Sequence, residues 1–99
     1  MNINTSVPVG VLGASGYVGQ ELMRLLAGHP GASVAFATAQ SAAGERHGRV
    51  ELVRIEDAPL ARVEIVLSAL PHGVSARYVQ EARALGKRAV DLSADFRLS

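Results

Sequence analysis

Three glycines spaced three apart, in the stretch GVLGASGYVGQEL (residues 10 to 22), have the clearest chemical use. Gly13, Gly16 and Gly19 follow a short apolar run and open an amphipathic one. A glycine turn between a strand and a helix leaves backbone N–H groups at the positive end of the helix, a natural receptor for phosphate. Glycine serves there by allowing a positive φ and by lacking a Cβ where phosphate or backbone comes close. The spacing assigns Gly13 to the turn, Gly16 to the approach of phosphate and Gly19 to close packing of the helix. Ala14, Ser15, Tyr17 and Val18 complete the loop, and the Ser15 hydroxyl adds a donor. The pattern is G-x-x-G-x-x-G, where the common dinucleotide fingerprint is G-x-G-x-x-G. The alternative is a glycine-rich turn that binds nothing. The setting, after a strand and before a helix, favours a dinucleotide pyrophosphate.

The segment following the second apolar run bears on which dinucleotide. NAD sites usually carry Asp or Glu about 20 residues past the glycines, on the ribose hydroxyls. That position is Ala39, and TAQSAAGER has no acid before Glu45. A carboxylate there would repel a 2′-phosphate, so its absence favours NADP. Thr38, Gln40 and Ser41 offer hydrogen bonds. Arg46 offers charge, or is a solvated loop side chain. LPHG (70–73) follows another apolar run, so Leu70, Pro71, His72 and Gly73 fall at the edge where open α/β sheets bind ligands. His72 lies near the cofactor or serves only the Pro-Gly turn.

Positioning these groups requires alternating strands and helices. VPVGVLG (7–13), SVAFATA (33–39), RVELVRI (49–55), EIVLSAL (64–70) and KRAVDL (87–92) read as strands, the third at an edge. Val18, Leu22, Leu25 and Leu26 share a face of a first helix, which GHPG (28–31) stops, with His29 at its cap. Val74, Tyr78, Ala82 and Leu85 trace a second helix, closed by Gly86. QSAAGERHG (40–48), with His47, reads as a loop, and EDAPLARVE (56–64) as a connection with a helical turn. The order implies an α/β, Rossmann-like, doubly wound parallel sheet. One domain spans residues 1–99, and the ending after a strand and its SADFRLS loop reads as a domain cut short.

Composition narrows the classes. The 99 residues are 48% hydrophobic and carry a formal charge of +1, which makes no case for nucleic acid. No apolar run approaches a membrane span, and MNINTS is not a signal peptide, so a cytoplasmic protein is expected. With no cysteine, the chain has no disulfide, no thiolate metal site and no cysteine nucleophile. No metal site and no catalytic residue are expected in it.

GASGYVGQELMRLLAGHP, ALPHGVSA and DLSADFRL, in that order, resemble the N-terminal part of the N-acetyl-gamma-glutamyl-phosphate reductase family of arginine biosynthesis. The resemblance runs from Val9 to Leu98. It implies NADPH-dependent reduction of an acyl phosphate to N-acetyl-glutamate semialdehyde. A cysteine thiolate and a histidine do the chemistry in a second domain, absent here, so this chain is expected to bind cofactor without catalysing. The full-length enzyme is expected to be a homo-oligomer. Residues 13–19 match the family's phosphate loop and Thr38–Ser41 its adenosine-ribose segment. The family often has Ser-Arg where this chain has Ala39-Gln40, which removes the usual guanidinium for the 2′-phosphate. The segment between Gly44 and Leu70 is shorter and lacks a His-Pro stretch. Ser93, Asp95 and Arg97 either face the active site of the whole enzyme or form a locally paired turn. The aminoadipyl-phosphate reductase of lysine biosynthesis shares all three motifs. A stand-alone NADP-binding module without catalysis is the alternative of another class.

Overall fold

The apolar run VPVGVL forms β1 (Val7–Leu12), with its last four residues buried. The computed structural model describes residues 6–40, 44–47 and 50–92. Helix α1 (Tyr17–Ala27) and β2 (Ala32–Thr38) follow. Next come β3 (Arg46–His47), β4 (Val50–Val53), β5 (Ile65–Ser68), α2 (His72–Ala84) and β6 (Arg88–Asp91). The six strands lie in the order β3-β4-β2-β1-β5-β6. All neighbours are parallel except the β3–β4 pair. The chain leaves β1 through α1 to β2 on one side and returns to β5 on the other. The order therefore reverses between β1 and β5, which makes the switch point of a doubly wound sheet.

Two cores flank the sheet. Val9, Val11, Ala37 and Leu52 pack with Met23 of α1. Leu12, Phe36 and Val66 pack with Val79 and Ala82 of α2. Leu60 and Val63, from the β4–β5 connection, join the second core. That connection makes two short 3-10 turns, Ile55–Asp57 and Leu60–Arg62, in place of a covering helix.

Several sequence expectations need correction. Residues 40–48 are not all loop, because the two-residue β3 pairs antiparallel with β4. His47 is therefore a strand residue. Leu25 is 61% exposed, and the buried residues of α1 are Gly19 and Met23. Val74 in α2 and Leu85 just after it are exposed, while Ser75, Val79 and Ala82 of α2 are buried. An apolar tally misplaces that face because a serine occupies it. The Ser75 and Ser68 hydroxyls, both fully buried, share a 2.7 Å hydrogen bond that fastens α2 to β5. Just beyond α1, the His29 Nδ1 accepts the Gly31 N–H at 2.9 Å.

Gly86 closes α2 as expected. It has φ +81°, and the Gly86 and Lys87 N–H groups bond back to the Arg83 and Ala82 carbonyls. This is the paired helix-end motif in which a left-handed glycine satisfies the last carbonyls.

Ser75→Ala leaves the buried Ser68 hydroxyl without its partner and should cost about 1–3 kcal/mol in urea unfolding. The Ser68→Ala/Ser75→Ala double variant should lose less than the sum of the singles, since the two groups couple. Strict additivity would show that the hydroxyls do not support each other.

Candidate functional site

The C-terminal ends of β1, β2 and β5 meet above the switch point. The turn after β1 begins at Gly13, whose φ of +82° is in the left-handed region that glycine accepts without penalty. Thr38, at the end of β2, holds this turn with both of its polar groups. Its Oγ1 accepts the Gly13 N–H at 2.9 Å, and its carbonyl accepts the Ala14 N–H at 2.7 Å. Thr38 is 1% exposed, so its hydroxyl braces the loop rather than reaching outward.

Gly19 packs the start of α1 onto this turn. A Cβ there would fall on the Gly13 carbonyl and within 2.8 Å of the Ala14 Cα. The close approach expected of Gly19 exists, but against the turn rather than the sheet. Gly16 differs: a Cβ there would find its nearest neighbour, the Gly13 carbonyl oxygen, 3.9 Å away. Gly16 caps α1 in an extended conformation with no side-chain capping bond. Helix geometry leaves the N–H groups of the following residues without partners inside the helix, and no acidic side chain stands in that first turn. Gly13 and Ala14 commit their N–H groups to Thr38, and the Gly16 N–H reaches back to the Gly13 carbonyl at 3.4 Å, so the donors this corner can offer a ligand are the Ser15, Tyr17 and Val18 N–H groups.

Beside this turn lies a cleft of about 490 Å³. Gly13, Ser15, Thr38, Ala39 and Gln40 line one side, and Leu70 and Pro71 enter from the end of β5. Four lining residues escaped sequence reasoning: Ile55, Glu56, Val74 and Tyr78. Val74 and Tyr78 stand one turn apart on α2, and that spacing was the available signal. Ile55 and Glu56 gave none, because they reach the cleft only through the placement of β4 next to β2. The absence of an acid between Thr38 and Gly44 thus does not leave this end of the cleft without a carboxylate.

Ala14 is buried beneath the loop, and Tyr17, 82% exposed, lies outside the cleft lining with Val18. His72 and Gly73 open α2 next to Pro71. Ser41, Ser93, Asp95 and Arg97 fall outside the described residues. Arg46 belongs to β3 and is not among the groups lining the cleft.

Gln40 links the two strand ends. Its Oε1 accepts the Ile55 N–H at 2.9 Å, and its side chain also hydrogen-bonds Glu56. The Glu56 carboxyl is held below its ordinary range, first by its own backbone N–H, then by Gln40 and by the charge of Arg54. Arg54 Nε stands 3.5 Å from Glu56 Oε1.

Residues 8–99 match the family described as semialdehyde dehydrogenase, NAD binding domain. A putative [LysW]-L-2-aminoadipate/[LysW]-L-glutamate phosphate reductase of Aeropyrum pernix is 44% identical, over 94% of this chain and 29% of its own length. An N-acetyl-gamma-glutamyl-phosphate reductase of Marinobacter nauticus is 43% identical, over 93% of this chain and 30% of its own length. The chain therefore spans about 30% of the curated relatives it matches. A probable aspartate-semialdehyde dehydrogenase from Pseudomonas aeruginosa superposes with a TM-score of 0.74 at 28% identity, over 95% of this chain and 30% of that one. The aspartate semialdehyde dehydrogenase of Candida albicans, solved with NADP, has the same fold, with a TM-score of 0.74 at 22% identity over 93% of this chain and 31% of that one. The Rossmann-like architecture and the family resemblance carried by the three motifs are both borne out.

Thr38→Val removes the acceptor for the Gly13 N–H and should cost about 1–3 kcal/mol. Hydrogen exchange at the Gly13 amide should accelerate more than at the core amides of β1. Unchanged exchange at Gly13 would mean that Thr38 does not hold the turn.

Proposed function

The chain belongs to the semialdehyde dehydrogenase NAD-binding domain family, and from that premise we propose that its cleft is the adenosine half of an NAD(P)(H) site. The observation that carries this reading is the unfilled space at Gly16, beside a turn locked in place at the switch point. Ser15, Tyr17 and Val18 would hold the pyrophosphate with their amides and the positive helix end, and Gly16 would leave it room. The adenosine ribose would lie beside Ala39 and Gln40. Adenine would enter the apolar slot between Leu70 and Pro71 on one side and Val74 and Tyr78 on the other. His72 and Gly73 would flank the path toward the nicotinamide.

The bound cofactor supplies a hydride. This chain's residues bind and orient it, and none of them is a cysteine nucleophile. The activity we propose for the whole protein is reduction of N-acetyl-gamma-glutamyl phosphate to the semialdehyde, supported by the Marinobacter relative and by LPHG and DLSADFRL. A carrier-bound aminoadipyl or glutamyl phosphate is the second reading, favoured by the equal likeness of the Aeropyrum relative. Assaying the full-length protein with both acyl phosphates separates the two.

Gly16→Val tests the site itself. The backbone at Gly16, φ −79° and ψ 173°, suits any residue, so stability should change by no more than about 1 kcal/mol, the scale of a capping position. Calorimetric affinity for NADPH should fall at least about tenfold, because the side chain occupies the pyrophosphate position. Wild-type affinity in a folded Gly16→Val protein would refute the placement.

A further inference from the structure

We infer that Glu56, positioned by Gln40, sets the choice of adenosine ribose: its carboxylate accepts the ribose hydroxyls of NAD(H) and opposes the 2′-phosphate of NADP(H), so the chain takes both cofactors. The inference rests on the dinucleotide reading above and adds the residue that governs selectivity.

Among the described residues that line the cleft, Glu56 alone is charged. It lies next to Gln40, at the end of β2, where a dinucleotide fold places its adenosine ribose. A carboxylate accepts strong hydrogen bonds from neutral hydroxyls, and it repels a phosphate at the same distance. The usual acid for this task stands at the end of the second strand itself. Here β4 pairs with β2 through Ala37–Leu52 and Thr38–Val53, so the residues just after β4 arrive beside Gln40. The Gln40 side chain fixes the junction by accepting the Ile55 N–H.

The nearby arginines temper this charge from outside the lining of the cleft. Arg54 pairs with Glu56 itself from outside the lining. Arg77 lies over the Tyr78 ring, 5.2 Å from its centroid, and stands 3.7 Å from Glu81. A shallow hollow that Arg77 shares with Glu56 adjoins the cleft through Ile55 and Tyr78, but Arg77 does not line the cleft itself. Among the described residues that line the cleft, a 2′-phosphate beside Gln40 would meet one carboxylate and no cation. The neutral amide of Gln40 supplies no replacement for a guanidinium.

The experiment is a comparison of NADH and NADPH affinities by calorimetry for the wild type, Glu56→Gln and Glu56→Asp. The wild type should bind both, with affinities within about tenfold of each other. Glu56→Gln should shift the ratio toward NADPH by about fivefold to tenfold, the scale of one charge pair near a wet surface. Glu56→Asp keeps the charge and should stay near the wild-type ratio. A loss of structure alone would weaken both cofactors together and leave the ratio unmoved. An unchanged ratio in a Glu56→Gln protein that still binds cofactor with wild-type strength overturns the inference while leaving the dinucleotide site standing. A wild type that binds neither cofactor overturns both.

Discussion

The molecule is organised around the bond between the Gly13 N–H and the buried Thr38 hydroxyl. It joins the turn after β1 to the end of β2, and the Thr38 carbonyl repeats the link to Ala14. A left-handed turn is held by few local forces, so anchoring it from the neighbouring strand keeps its amides aimed in one direction. Gly19 then lets α1 approach until only hydrogen fits against the Gly13 carbonyl. The helix end, the turn and the strand tips thereby form one rigid corner. Rigidity matters for an anion site, since amides already oriented need no reorganisation when the ligand arrives.

The opposite wall depends on a second buried polar contact. The Ser68–Ser75 bond fastens α2 to β5 and so fixes Leu70 and Pro71 relative to Val74 and Tyr78. Apolar packing of Val79 and Ala82 supplies the adhesion, while the hydroxyl pair supplies the register. Hydrophobic contact is non-directional, and a buried hydrogen bond is not. The cleft is thus framed by two polar locks, one on each side of β1.

The β4–β5 connection completes the third side. With short 3-10 turns in place of a helix, it stays close to the sheet and carries Ile55 and Glu56 to the cleft. Gln40 ties it down. The charge character of the cleft therefore depends on a connecting segment as much as on the glycine loop.

Much of this was legible in the sequence, because local rules govern it. The glycine spacing marked the turn, the apolar runs marked five parallel strands, and Gly86 marked a helix end. Three motifs in order carried the family. Each depends on neighbours along the chain, where backbone conformation and periodicity are written directly. Other features depend on which strand lies beside which. Thr38 reads as an outward hydrogen-bonding side chain, yet pairing of β1 with β2 turns it inward. Ser75 reads as a polar helix position, yet Ser68 gives it a buried partner. Glu56, far from the glycines in sequence, reads as part of a connection until β4 docks beside β2. Contacts between residues far apart in the chain have no local signal, so only the folded sheet could bring Gln40 and Glu56 together.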